Sequence, residues 1–366
     1  MTENLSAWIR FTLADGLGAV RQRKLLTVFG LPEAVFDAGE QAVARVIGPV
    51  LARRLFAQQD PAIVQHALAW AAEAGNSIVT LGDSDYPQAL LDTPDPPLLL
   101  YVKGSRALLN QPAIAIVGSR SPTPQGEENA RAFAGHLADA GLTIVSGLAL
   151  GIDAAAHQGA LKSGASTTVA VIGTGADRVY PASNKALAHD IASNGAIISE
   201  FALGCGPLRH HFPKRNRVIA GMAAGVLVVE AAAGSGSLIS ARLAADMGRE
   251  VFAIPGSIHS PLSRGCHQLI RDGAKLVEKA EDILVELEPV RRASIQQSSS
   301  SETSDETTLS AQEMLVLSRL GHDPIDCDTL ARFCDLTVNT LSSILLTLEL
   351  KGKVARIAGN RFQRLQ

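Results

Sequence analysis

Between Gly206 and Val229 the chain carries no acidic residue, yet Arg209, Lys214, Arg215 and Arg217 fall there, with Phe212 among them. Cations around an aromatic ring suit a phosphate chain with bases to stack. A solvated loop capping a helix that starts near Asn216 would carry the same composition, so both readings stand at this point. A second candidate is "AIAIVGSRSPTPQG", residues 113–126. Its β-branched run ends at Gly118, where a dinucleotide-binding strand would turn into a loop with two further glycines. Ser119 and Arg120 stand there instead. A short, buried pyrophosphate needs glycines all round. A long, wet polynucleotide backbone is held from one side by an always-charged fork of N–H donors, which is what Arg120 offers.

Enzymatic alternatives are weaker. No G-x-x-x-x-G-K-[ST] phosphate loop exists. Asp153 and His157 share a helical face and could do acid/base work. They read better as a first-turn anion facing the helix dipole and a packed imidazole. Asp177 and Tyr180 read as turn-forming groups. No metal-ligand cluster is visible, and no cofactor is expected.

These residues need elements to hold them. Strand patterns at 113–117, 143–145, 167–172, 196–199, 225–229 and 250–254 alternate with helical stretches. Continuously apolar strands between helices predict a parallel sheet covered on both faces. Glycine-rich turns, including "SGLALGIDAAAHQGAL" and "GTGADRVYPASNKAL", then fall at the carboxyl edge, where open sheets bind ligands. Lys185 comes from one such turn and Arg120 from another. Both are expected to converge on the cationic stretch.

Four divisions follow. Residues 1–96 form an N-terminal helical module with a strand signal at 77–81. Residues 97–288 form an extended Rossmann-like domain. Residues 289–308 hold "SIQQSSSSETSDETT", whose composition predicts a flexible linker. Residues 309–366 read as a winged helix, with Leu341, Ile344, Leu345 and Leu348 on one helical face and a basic hairpin after them. The fold class is therefore α/β with flanking helical and winged-helix modules. "LADGLGAVRQRKLL" (13–26) resembles a helix-hairpin-helix (SAM-like module), which holds DNA phosphates without reading sequence. A hairpin that merely packs fits equally well. The winged helix lacks an arginine on its exposed helix face, which favours a protein contact or weak DNA contact over base reading. No internal repeat is evident.

Net charge is −3, so any nucleic-acid attraction must be local. Four scattered cysteines without a CxxC fit a reducing cytosol. No signal peptide opens the chain, and the longest apolar stretch, 218–229, is too short to span a bilayer. A cytoplasmic protein without a membrane partner is expected.

The motifs "VGSR", "SGLALGIDAAAH", "GTGADRVYPASN", "FPKRNRVIAG", "EAAAGSGSLISARLA" and "IPGSIHSPLSRGCHQLIRDGAKLV" occur in order over residues 114–277. With them the chain resembles the DNA processing protein A family (DprA, also called Smf). The resemblance implies a non-enzymatic single-stranded DNA binder that forms a homodimer. It would protect incoming strands and load the RecA recombinase during natural transformation. It carries a nucleic-acid-binding role to Gly118, Ser119 and Arg120, to Ser146 and Gly147, and to Asn184 and Lys185. The same role falls on Phe212, Arg215, Asn216 and Arg217, with Lys214 as an added cation. No motif marks the RecA contacts. The alternative is a small-nucleotide-binding protein or phosphoribohydrolase-like enzyme, like the cytokinin-activating hydrolases and molybdenum cofactor carriers. In that case "GSGSL" (234–238) would hold a mononucleotide phosphate. The glutamate those hydrolases carry after their glycine loop is missing here.

Overall fold

The structure is a computed structural model that describes residues 2–14, 16–57, 61–164 and 167–288, together with parts of 316–364. It divides into two compact units, 1–294 and 295–366. The linker expected at 289–308 lies outside the described residues.

In the first unit, helices α1 (Thr2–Thr12), α2 (Gly18–Phe29), α3 (Pro32–Asp37), α4 (Gly39–Ile47), α5 (Pro49–Phe56) and α6 (Pro61–Ala72) precede β1 (Asn76–Thr80). After α7 (Gln88–Leu91) come β2 (Leu99–Gly104) and β3 (Ala113–Val117). Strands and helices then alternate: α8 (Pro124–Asp139), β4 (Thr143–Ser146), α9 (Ile152–Lys162), β5 (Thr168–Val171), α10 (Lys185–Asn194) and β6 (Ala196–Ser199). The run closes with α11 (His211–Met222), β7 (Gly225–Val228), α12 (Ser237–Asp246), β8 (Glu250–Ala253), α13 (Arg264–Arg271) and β9 (Lys275–Leu276).

The nine strands form one sheet in the order β1-β2-β6-β5-β4-β3-β7-β8-β9. From β6 to β9 all neighbours are parallel, whereas β1 and β2 pair antiparallel at one edge. Period-two alternation explains the continuous apolar strands. Ile114 and Ile116 face α8 and α9, while Ala115 and Val117 face the layer that holds Val218, Ile219, Leu238 and Ala241. Both faces are buried, as a doubly wound sheet requires. The chain runs outward from β3 to β6, then returns to the other side of β3 as β7. The crevice between the carboxyl ends of β3 and β7 is the switch point of the topology, where such sheets take their ligands.

The strand at 99–104 was not anticipated. It is the hinge between the helical module and the sheet. Leu100 and Val102 point into the sheet's core, and Leu99 and Tyr101 into the helical module's. Trp70 of α6 meets Tyr101 edge-on at 5.8 Å. No helix among the described residues is long and apolar enough to cross a membrane.

The second unit is a winged helix. Its three-stranded sheet has the order β10-β12-β11, from β10 (Ile325–Asp326), β11 (Val354–Ile357) and β12 (Arg361–Arg364). The helix Cys327–Cys334 packs with buried Leu341, Ile344, Leu345 and Leu348, the face expected from sequence.

Gly104, with φ of 108°, ends β2 where a Cβ would strike the carbonyl of Gly195. Gly104→Ala is expected to cost about 1–3 kcal/mol from backbone strain alone, read as a lower urea midpoint for the first unit.

Candidate nucleic-acid interface

The first and second turns are locked together by backbone. Gly118 must be small, because a Cβ would sit 2.7 Å from Ile152. The Ile152 N–H donates to the Ser119 carbonyl at 3.1 Å, which starts α9 beneath the first turn. The Ser119 hydroxyl accepts from the Ser121 N–H at 3.1 Å. Glu230, at the end of β7, accepts from the Thr123 N–H at 2.9 Å and its hydroxyl at 2.6 Å. Thr123 in turn caps α8 by accepting from the Gly126 N–H at 3.0 Å. The rims of β3, β4 and β7 are thereby fixed around one cleft.

The cleft has a volume of about 580 Å³. Arg120 and Ser121 line one wall, Phe212, Arg215 and Asn216 another, and the Ala232–Ser237 turn a third. Helix α12 begins in that third wall without a side-chain cap or a first-turn acid. Its positive dipole end favours an anion, while its first N–H groups donate to the Ser235 hydroxyl and to the Ser235 and Gly236 carbonyls. Asp153 is the one acid lining the cleft among the described residues.

The cationic stretch is mostly helix. Because α11 starts at His211, the residues from Phe212 to Arg217 sit at helical rather than loop positions. His211 anchors its start: Nδ1–H donates to the Gly173 carbonyl at 3.1 Å, and the ring stacks on Phe201 at 4.0 Å. Burial pulls this imidazole's pKa down, which favours the neutral ring. Phe212 then emerges beside the cleft, its ring 5.9 Å from Tyr180, with the exposed Arg120 guanidinium 5.6 Å from its centroid. Lys214 is exposed on the same turn.

Arg215, one turn on, is buried. Its Nη2 donates to the Gly147 carbonyl at 2.9 Å and its Nη1 to Asn216 Oδ1 at 3.2 Å. Asp153 Oδ2 stands 3.9 Å away and accepts from the Gly147 N–H at 3.1 Å. Burial pushes the Asp153 carboxyl up and the Arg215 guanidinium down, and each charge pulls the other back. A Cβ at Gly147 would fall on the guanidinium, so glycine is obligatory there. Asn216 Nδ2 reaches the Gly236 carbonyl at 3.3 Å and ties α11 to the third wall.

Several expected site residues do not line this cleft. Arg217 turns away because residues two apart on a helix do not share a face. It pairs with Glu200 and with Asp95, which also holds Arg23 at 2.6 Å. This network straps α11 to the helical module. Ser146 is fully buried, and its hydroxyl donates to the Ile116 carbonyl at 2.7 Å. Lys185 is exposed on a neighbouring cavity of about 340 Å³ with Lys103, Arg178 and His189, on the far side of the second turn. Its neighbour Asn184 works through the backbone. Its amide donates to the carbonyls of Leu148 and Ala149 at 3.0 and 3.1 Å, and so holds Leu148 in its left-handed conformation, φ 56°.

Tyr180, read from sequence as a turn-forming group, is set by the fold beside Phe212, and Glu230, which organises two turns, was not singled out. Asp153 and His157 are both buried. His157 Nδ1–H donates to Thr168 Oγ1 at 2.7 Å, since that hydroxyl itself donates to the Ile144 carbonyl. The described residues contain no group of three or more His, Cys, Asp or Glu able to hold a metal.

Fold and site together define a doubly wound α/β protein with a cationic ligand crevice at its switch point and a separate winged-helix unit. Residues 77–288 match the family described as DNA recombination-mediator protein A, and residues 300–360 match the DprA winged helix domain. The chain belongs to the DprA family. It is 50% identical over 206 residues to the DNA processing protein DprA of Streptococcus pneumoniae R6, covering 56% of this chain and 72% of that one. The X-ray structure of DprA from Streptococcus pneumoniae superposes with a TM-score of 0.69 at 39% identity, over 77% of this chain and 97% of that one. A Helicobacter pylori DNA processing protein A, described for its single-stranded DNA binding mode, gives 0.53 at 33% identity, over 57% and 95%.

Two outcomes follow from the buried groups. Gly147→Ala should destabilise the protein by about 1–3 kcal/mol through overpacking. Adding Arg215→Met should recover part of that loss, a non-additivity that urea unfolding of the double variant reads directly. Burial holds His157 at a pKa of about 3. The unfolded chain takes up this proton below about pH 6.5 and the native state does not. The contribution of His157 is therefore complete above about pH 6.5 and is lost as pH drops toward 3. At about 1.36 kcal/mol per unit, the loss attributable to His157 reaches about 2 kcal/mol by pH 5. His157→Gln should flatten that part of the profile.

Proposed function

We propose that this cleft binds single-stranded DNA in recombination, as a binding protein rather than a catalyst. The observation that carries the reading is the exposed Arg120 guanidinium over the half-buried Phe212 ring. A phosphate-directed cation and a stacking platform then meet in one place, beside a helix start free of acids. Duplex DNA would hide its bases from that ring, whereas an unpaired strand offers both rail and base. Arg120 and Lys214 supply the exposed charge. Arg215, partly offset by Asp153, forms the cleft's rigid floor. Lys185 extends the positive field on the far side of the second turn. The finer role, protection of incoming strands and their delivery to RecA by a homodimer during natural transformation, rests on the family resemblance.

Fluorescence anisotropy with a labelled oligothymidylate, titrated across a salt series, tests this. Arg120→Ala/Lys214→Ala should flatten the log–log salt slope by about 0.7 for each lost cation. Phe212→Ala should weaken binding by about 1–3 kcal/mol with the slope unchanged. Unaltered low-salt affinity in the Arg120→Ala/Lys214→Ala variant would place the strand elsewhere.

A further inference from the structure

The N-terminal module carries a short internal repeat. Residues 18–25, "GAVRQRKL", and 48–55, "GPVLARRL", share the pattern G-x-V-x-x-R-[KR]-L. The two copies also share a structure. Gly18 and Gly48 both take positive φ, 64° and 88°, and each stands at the start of a helix, α2 and α5. Leu25 and Leu55 are both buried, whereas Val20 and Val50 are 74% and 65% exposed. The contacts between the copies are reciprocal. Arg54 Nη1 lies where a Cβ on Gly16 would be 2.8 Å away, and Lys24 Nζ reaches the Val46 carbonyl at 3.4 Å. Lys24 and Arg54 are equivalent positions, and Gly16 and Val46 each lie two residues before their glycine. Such an exchange is the mark of a two-fold-related pair.

We propose that these paired hairpins form a second nucleic-acid surface, which grips the two phosphate rails of double-stranded DNA without reading its sequence. This surface is independent of the single-strand cleft. The surface is a cationic patch. Arg21, Lys24, Arg53 and Arg54 are all exposed, and none of them is in an ion pair among the described residues. Neither 16–26 nor 46–55 contains an acidic residue. The first turns of α2 and α5 have no side-chain cap and no acid, so they add to the positive field. Two observations favour a duplex over a single strand. The same two spans contain no aromatic residue, so nothing there stacks on an unpaired base, and the chemistry is directed at phosphate alone. The pair is also two-fold related, and a duplex presents two antiparallel rails related by a local two-fold, the match that symmetric DNA binders exploit. The exposed valines would sit between the rails.

The test uses the full chain, with a fluorescent 20-base-pair blunt duplex and an oligothymidylate measured in parallel by anisotropy across a salt series. The variant Arg21→Ala/Lys24→Ala/Arg53→Ala/Arg54→Ala should weaken duplex binding at least tenfold. It should also flatten the duplex salt slope by roughly 0.9 per lost phosphate contact, and leave oligothymidylate binding within twofold. Val20→Asp/Val50→Asp, which places charge between the rails at exposed positions, should weaken duplex binding alone. Arg120→Ala/Lys214→Ala should give the opposite pattern, so a failure of the cleft reading is seen separately. Duplex binding by the parent that survives the fourfold variant would assign duplex contact to another part of the chain and overturn the proposal. Undetectable duplex binding by the parent at low salt would overturn it too, as would equal loss for both probes.

Discussion

A guanidinium taken out of water sets the geometry of the cleft. Arg215 keeps its charge inside the protein only because the Gly147 carbonyl, Asn216 and Asp153 face it from three directions. Burying such a group is expensive, and removing one partner leaves a charge unmatched. The cost propagates outward as constraint. Gly147 must lack a side chain, α9 must begin where Asp153 can turn back to the Gly147 amide, and α11 must begin at His211 so that its second turn meets the floor. Once α11 is so placed, its first turn brings Phe212 out under Arg120 without further choice.

This separates two kinds of cation that composition cannot tell apart. Arg215 is buried, faces Asp153 and is already hydrogen-bonded, so it contributes shape and rigidity more than reach. Arg217 is committed to Asp95 and Glu200. Burial pushes the Glu200 carboxyl up and Arg217 pulls it back. The attraction for a polyanion in the cleft falls to the exposed Arg120, which meets no acid there except Asp153, whereas Lys214 is exposed outside the cleft lining and acts on Glu200. A net charge of −3 leaves room for such an arrangement, because the attraction is local. The field is local, set at the rim of the sheet, and steeply salt-dependent.

Legibility in the sequence followed periodicity. The strands at 113–117 and 196–199 were readable to the residue, because short β-branched runs that abut a glycine have few other ways to fold. The strand at 99–104 was hidden behind the prolines at 94, 96 and 97, which read as a boundary although the chain simply enters the sheet from the other direction. The site was legible as a set of turns but not as a set of faces. Arg215 and Arg217 look equivalent in "FPKRNR" and differ by the 200° that two helical residues turn. Their partners Asp153 and Asp95 are more than sixty residues upstream in different motifs, so no local pattern announces them. The repeat in the helical module escaped for a related reason. Its eight-residue copies are identical at only four positions and share a cation at a fifth, and their equivalence emerges from dihedral, burial and reciprocal contact.

The two proposed surfaces divide nucleic-acid chemistry along the line that separates strand types. The cleft couples a cation to an aromatic ring, and a ring is useful only where bases are unstacked. The hairpin pair has cations, exposed aliphatic tips and no ring, and phosphate rails are what it can hold. Both surfaces belong to one compact unit, joined through β2, whose alternate residues feed the core of each, and through Asp95, which bonds Arg23 of α2 and Arg217 of α11. A protein that gripped only single strands would need neither the strap nor the second set of cations. Holding both in one compact unit suits a substrate in which an unpaired strand emerges from a duplex. There the distance between the two grips is fixed by the fold, not by a linker, and each grip raises the effective concentration of DNA at the other.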